Sequence, residues 1–184
     1  MQASDDFSDL AGQRARNLFQ SGQLLCSEAV LAVLNKALRG GLDTGAAVRL
    51  ASGLPQGMGG SGCTCGALSG GVLALGLFLG RSGPGIGNNR EVMQAASALH
   101  EVFKSQYGST CCRVLCKKYG KNGAADPQHC AELTAFAAQA ACRIICEKRP
   151  GLASDADREY LLQNDSRLEA GLKRIAGLFS REKQ

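Results

Sequence analysis

The chain has 184 residues, 45% of them hydrophobic and 20% charged, with no tryptophan and a formal net charge of +5. That length supports an apolar core without the disulfide staples of a secreted mini-protein. The excess charge sits in residues 61–120, six basic against two acidic groups, too thin for the aromatic-laced basic stripe of a nucleic-acid-binding surface. Plentiful Ala, Leu and Gly, with few aromatic or β-branched residues, predict helices rather than sheets.

The opening Met1-Gln2-Ala3-Ser4-Asp5-Asp6 lacks the basic and apolar regions of a secretory signal. A reducing cytoplasm is therefore the expected setting. Leu10 to Phe19 reads as a short amphipathic helix. Leu24 to Leu38 reads as a stronger one, with Leu25, Ala29, Ala32 and Val33 at helical intervals and Gly40-Gly41 as its stop. Asp43 or Thr44 can cap a short helix to about Ser52. From Leu50 to Gly80 no residue is charged. The first part, Gly53 to Gly62, predicts a turning loop. The second, Cys63 to Gly80, predicts a buried central helix, apolar on every face and too short and glycine-rich for a membrane span.

Arg81 to Asn89 is a connector. Arg90 to Tyr107 predicts a helix with Val92, Ala95, Ala96, Leu99 and Phe103 as its stripe. Ser109 or Thr110 can cap a helix that opens with Cys111-Cys112 and runs to about Tyr119. Asp126-Pro127 starts a helix that continues to about Lys148. After Pro150-Gly151, Ser154 or Asp155 caps a last helix with Leu161, Leu162, Leu168, Leu172, Ile175 and Leu178 on its apolar side. The expected architecture is all-α, a single domain over 1–184 built as a multi-helix bundle around the Gly/Ala-rich central helix. Its core spans about 24–140, and C-terminal helices over about 127–180 pack on it.

Nine cysteines carry the chemistry: Cys26, Cys63, Cys65, Cys111, Cys112, Cys116, Cys130, Cys142 and Cys146. An odd number argues against a pure disulfide framework, and clustered thiols in a reducing compartment point to metal or redox work. Most stand at helix starts, where unpaired N–H groups and the helix dipole favour thiolate, with Arg113, Lys117 and Lys118 as further positive neighbours. This setting predicts lowered thiol pKa values at Cys65 and Cys112. Cys142 and Cys146, one turn apart on an apolar face, fit core packing as well as chemistry. His129 beside Cys130 is read as a first-turn hydrogen-bonding residue or an alternative ligand, and His100 as a solvated surface residue. Gly57-Met58-Gly59-Gly60-Ser61-Gly62 matches a dinucleotide-loop pattern, but no strand is expected before it. No haem-attachment motif is present.

Gly57-Met58-Gly59, Cys65-Gly66-Ala67-Leu68-Ser69-Gly70-Gly71, Gly108-Ser109-Thr110-Cys111-Cys112-Arg113-Val114-Leu115 and the later Cys130 together resemble the redox-active family called C_GCAxxG_C_C. The resemblance covers roughly residues 24 to 140 and implies Cys26, Cys65, Cys112 and Cys130 as the family's four cysteines. The same stretch is similar to the non-haem part of split-Soret cytochromes, which implies an iron–sulfur cluster of unspecified type and no haem. Cys65-Gly66 stands where the family name has Gly-Cys, and Cys63, Cys111 and Cys116 lie outside the pattern as additional candidate ligands. The leading expectation is an iron–sulfur redox or electron-transfer protein. The alternative is a metal-free thiol–disulfide redox or sulfur-carrier protein, and a structural zinc module ranks below both. Whether the chain is itself an oxidoreductase, and which redox protein it meets, stay open. A homodimer is expected only because two-fold dimers are common.

Overall fold

The computed structural model describes residues 2–119, 126–168 and 171. Helices make up the architecture: α1 (Gln2–Gln20), α2 (Cys26–Ala37), α3 (Thr44–Ala51), α4 (Pro55–Met58), α5 (Gly66–Leu79), α6 (Arg90–Tyr107), α7 (Cys112–Tyr119), α8 (Pro127–Lys148), α9 (Pro150–Ser154) and α10 (Arg158–Leu162). Among the described residues, β pairing is confined to two isolated antiparallel bridges, Thr64 with Cys111 and Gly83 with Ile86. The all-α expectation holds. No described helix is long and apolar enough to cross a membrane.

Two long packings organise the bundle: α1 along α8, and α2 along α5, with α5 also against α8 and α6. The central helix is α5, as its lack of charge predicts. Ala67, Leu68, Ala74, Leu75 and Leu79 are buried on it, and Leu68 and Leu75 meet the α2 side chains Val30, Leu31 and Leu34 in one core. Each such large side chain contributes about 1.5–3 kcal/mol through burial. Glycine sets the approach of α2 to α5. A Cβ on Gly70 would stand 2.5 Å from the Ser27 carbonyl oxygen and 2.9 Å from its Cα. Ser27 itself is fully buried, and its hydroxyl donates to the Ala51 carbonyl at 2.9 Å, which ties α3 to the same face.

Caps explain where most helices begin. Asp43 accepts from the Ala46 N–H, Asp126 from the Gln128 N–H ahead of Pro127, and Asp157 from the Tyr160 N–H. At α2 the Glu28 carboxylate reaches back to the Leu25 N–H at 2.8 Å. Leu25 is the N-cap and is half exposed, so it stands outside the stripe expected of it.

Three expected boundaries change. The first helix begins near Gln2 rather than Leu10. The central helix opens at Gly66, with Cys65 as its N-cap and Cys63 in the preceding loop. The expected last helix, from Ser154 or Asp155 onward, is cut to α10: it starts at Arg158 behind the Asp157 cap, and the chain turns extended at Gln163, with φ −65° and ψ 142°. The polar run Gln163-Asn164-Asp165 is claimed by α1 instead. Arg14 donates to the Gln163 carbonyl at 3.0 Å and pairs with Asp165 at 2.6 Å, while Asn17 bonds the Asn164 side chain. Leu161 is buried, whereas Leu162 and Leu168 face solvent. Leu172, Ile175 and Leu178 lie outside the described residues.

Candidate functional site: a cavity lined by cysteines

The Gly53–Gly62 stretch is shaped by its backbone. Gln56, Gly57 and Met58 take left-handed φ values of 55°, 72° and 63°, followed by Gly59, Gly60 and Gly62 in the same region. Such a conformation costs a residue with a side chain roughly 1–2 kcal/mol, so Gln56 and Met58 are held there by their surroundings. Gly57 admits no alternative: a Cβ would stand 2.5 Å from the Cys63 nitrogen and 2.8 Å from the Cys112 Cβ. The Gly62 and Cys63 N–H groups donate to the Gln56 and Gly57 carbonyls at 3.1 and 3.0 Å and close the loop on itself. Helix α3 precedes it, so the glycine pattern here is not the strand-to-helix turn of a dinucleotide site.

This loop then pairs with the segment before α7. Cys65 N–H donates to the Thr110 carbonyl at 2.8 Å and Cys112 N–H to the Cys63 carbonyl at 2.6 Å, on either side of the Thr64–Cys111 bridge. Arg113 fastens the join. Its N–H donates to the Gly62 carbonyl and its guanidinium to the Ser61 carbonyl at 2.7 Å. Extended chain alternates its side chains. Thr64 and Cys111 therefore face one way, and Cys65 and Cys112 face the other, into the protein.

There they line a cavity of about 460 Å³ together with Cys26, Cys116 and Cys130. The five thiols arrive from separate elements: Cys26 on the first turn of α2, Cys65 capping α5, Cys112 and Cys116 on α7, and Cys130 on the first turn of α8. Phe19, Leu25, Pro55, Leu115, Pro127 and Leu133 supply apolar wall. Of the additional candidates, Cys116 joins the cavity, its Sγ 3.8 Å from that of Cys112. Cys63 and Cys111 do not line it. Cys63 is exposed, and Cys111 donates its thiol to the Gly62 carbonyl at 3.2 Å. The signal for Cys116 was its spacing, since residues four apart on a helix share a face.

The electrostatics overturn one expectation. Burial pushes Cys65 up to about 11, and the neighbouring thiolates Cys26 and Cys116 add to it. Cys112 and Cys130 are each pushed up to about 12, first by burial and then by Cys116. Cys26 is also raised by burial. The helix-start donors do act in the expected direction: N–H groups of Leu68 and Ala67 lower Cys65, and those of Gln56 and Ser27 lower Cys26. Desolvation is the larger effect. Cys26, Cys65, Cys112 and Cys130 are therefore protonated at neutral pH, not the low-pKa thiolates the helix starts suggested, and the Arg113 guanidinium is engaged by a loop carbonyl.

The remaining candidates lie elsewhere. Cys142 and Cys146 are buried in the core at 0% and 7% exposure, and Cys142 is raised first by its hydrogen bond to Cys146 and then by burial. His129 is buried beside Tyr107, their rings edge to face with centroids 5.9 Å apart, and does not line the cavity. His100 is partly exposed and bonds Glu101 at 2.9 Å. Among the described residues, no three His, Cys, Asp or Glu side chains form a ready-made site for a single metal ion.

Fold and site together define a helical protein that gathers cysteines from four helices at one cavity. Residues 24–144 match the family model described as "Putative redox-active protein (C_GCAxxG_C_C)", and the chain belongs to that family. No curated protein and no solved structure matches it.

Proposed function

We propose that the protein binds an iron–sulfur cluster in this cavity and serves as a redox or electron-transfer protein, with Cys26, Cys65, Cys112 and Cys130 as ligands. The observation that carries this reading is the convergence of those four thiols, from α2, α5, α7 and α8, on one cavity. The donor set fits the group. Soft thiolates in a set of four are the usual hold on such clusters, and a cluster needs its ligands spread around a wider core than a lone ion does. The space also fits. Gly66 leaves the cavity wall bare, since a Cβ there would stand 2.6 Å from the Cys26 Sγ.

When bound, the cluster would supply one-electron chemistry. The chain's own part is to hold, tune and shield. N–H groups from Gln56, Ser27, Ala67 and Leu68 point at Cys26 and Cys65, the kind of donor that sets a cluster's potential. Phe19, Leu115 and Leu133 set apolar wall beside the sulfurs. Because the thiols are protonated in its absence, loading releases protons and grows tighter as pH rises. Zinc suits the site less well, because its tetrahedral coordination needs ligands already close together. A reducing compartment such as the cytoplasm suits nine unbridged cysteines.

Anaerobic purification or reconstitution with iron and sulfide tests the reading through the absorption and EPR spectra and through iron and acid-labile sulfide counts. A brown protein with stoichiometric iron and sulfide is expected. A colourless, iron-free product after anaerobic reconstitution overturns the proposal.

A further inference from the structure

Five thiols line a cavity in which a four-cysteine ligand set would leave one unused, and two of the five already touch. We infer that Cys112 and Cys116 form a dithiol/disulfide site of their own, closed in the cofactor-less protein by exchange with a low-molecular-weight disulfide. Their sulfurs stand 3.8 Å apart. One helical turn separates their Cα atoms by about 6 Å, inside the span of about 4.4–6.8 Å that a disulfide accepts, while the Cβ atoms of such a pair, about 5–6 Å apart, must close to about 3.5–4.5 Å. Cys112 is the first residue of α7, and its N–H is bonded across the loop to Cys63 rather than within the helix. The turn that must tighten is thus the end turn of a helix. Both sulfurs border the cavity and are only partly buried, so a small disulfide can reach them. Cys142 and Cys146 share the spacing, but burial in the core denies them that access.

The chemistry balances without a metal. One protein thiol gives up its proton and attacks the small disulfide, whose S–S bond breaks and releases one thiol. The second protein thiolate attacks the mixed disulfide and releases the other. Two electrons pass from the protein pair to the small disulfide, and the two protein thiol protons end on the released thiols. A closed bond removes Cys112 from the ligand set, so the disulfide and a Cys112-held cluster exclude one another. That exclusion rests on the proposed cluster; the disulfide does not.

The test uses the full chain, reduced and treated with chelator, then incubated with oxidised glutathione, alkylated and cut with trypsin without reduction. Cleavage after Lys104, Arg113 and Lys117 leaves residues 105–113 joined to 114–117 only through Cys116. The linked pair is expected in the native sequence and in Cys111→Ser. In Cys116→Ser it is lost, and residues 105–113 carry a glutathione adduct at Cys112 instead. Alkylated Cys112 and Cys116 in the native protein, or loss of the linked pair in Cys111→Ser, overturns the assignment. Reconstitution then reads the exclusion: the oxidised protein is expected to lose iron and sulfide uptake, and dithiothreitol to restore it. Uptake undiminished by a confirmed disulfide overturns the exclusion. Absence of uptake in the reduced protein overturns the cluster reading and leaves the linked peptides standing.

Discussion

One helix, α8, carries cysteines in two opposite conditions. Cys130, on its first turn, borders the cavity with four other thiols. Cys142 and Cys146, more than three turns later, sit in the hydrophobic core among Ala138, Ala141 and Ile145. The residue type is the same and so is the helix, yet one end gathers sulfur and the other merely fills space. The difference lies in what each end faces. The start of α8 shares the cavity with a loop and three other helix starts, those of α2, α5 and α7. Its second half meets α5 and α2, whose small and aliphatic residues close tightly. A cysteine between such helices behaves as a small hydrophobe.

Substitution tests that contrast most sharply. Cys65→Ser and Cys130→Ser are expected to abolish iron and sulfide uptake on anaerobic reconstitution, whereas Cys142→Ala keeps it. Equal uptake by all three proteins would erase the distinction between the two ends. Packing gives the next largest effect. Leu75→Ala, in the core shared with α2, is expected to cost about 2–5 kcal/mol in urea unfolding. Gly70→Ala drives a methyl into the Ser27 backbone and should cost about 1–3 kcal/mol.

Protonation separates the two ends differently. Cys65, Cys112 and Cys130 have folded pKa values above the ordinary 9.0, at about 11, 12 and 12. The stability they confer on the cluster-less protein is fully present below pH 9, falls as the unfolded thiols ionise, and is lost as pH passes about 12. Thermal melts across that range check the direction. Alkylation at neutral pH should accordingly label exposed Cys63 first and these three slowly, and rapid labelling of Cys65 would contradict the burial argument. The smallest effect is a gain: Gly76→Ala, on the exposed side of α5 with nothing within 4 Å of the new methyl, should add about 0.5–1 kcal/mol.

Much of this was legible in the chain. The charge-free stretch announced α5 as central, and Asp126-Pro127 and Asp43 marked their helix starts because a cap is a local interaction between residues two or three apart. The four cysteines that the family resemblance implies, Cys26, Cys65, Cys112 and Cys130, line one cavity. What sequence did not reveal was non-local. The thiol pKa direction depends on burial, which outweighs the helix-start donors that could be read. The break at Gln163 depends on Arg14 and Asn17, about 150 residues earlier. The late start of α5, which leaves Cys63 in the loop, goes with the Thr64–Cys111 bridge, a pairing between segments 47 residues apart.

That bridge has a consequence for how the sequence can change. Cysteines occur in pairs on both of its sides, Cys63 and Cys65 flanking Thr64 on one and the adjacent Cys111 and Cys112 on the other. The bridge thus acts as a reading frame that selects Cys112 over Cys111 for the interior. Insertion of one residue between Gly108 and Thr110 can be absorbed either in the turn or as a shift by one, and the shift would present Cys111 inward in place of Cys112. A doublet of cysteines on one side of the frame makes such a slip survivable, so the connecting turn can vary in length while a thiol still faces the cavity.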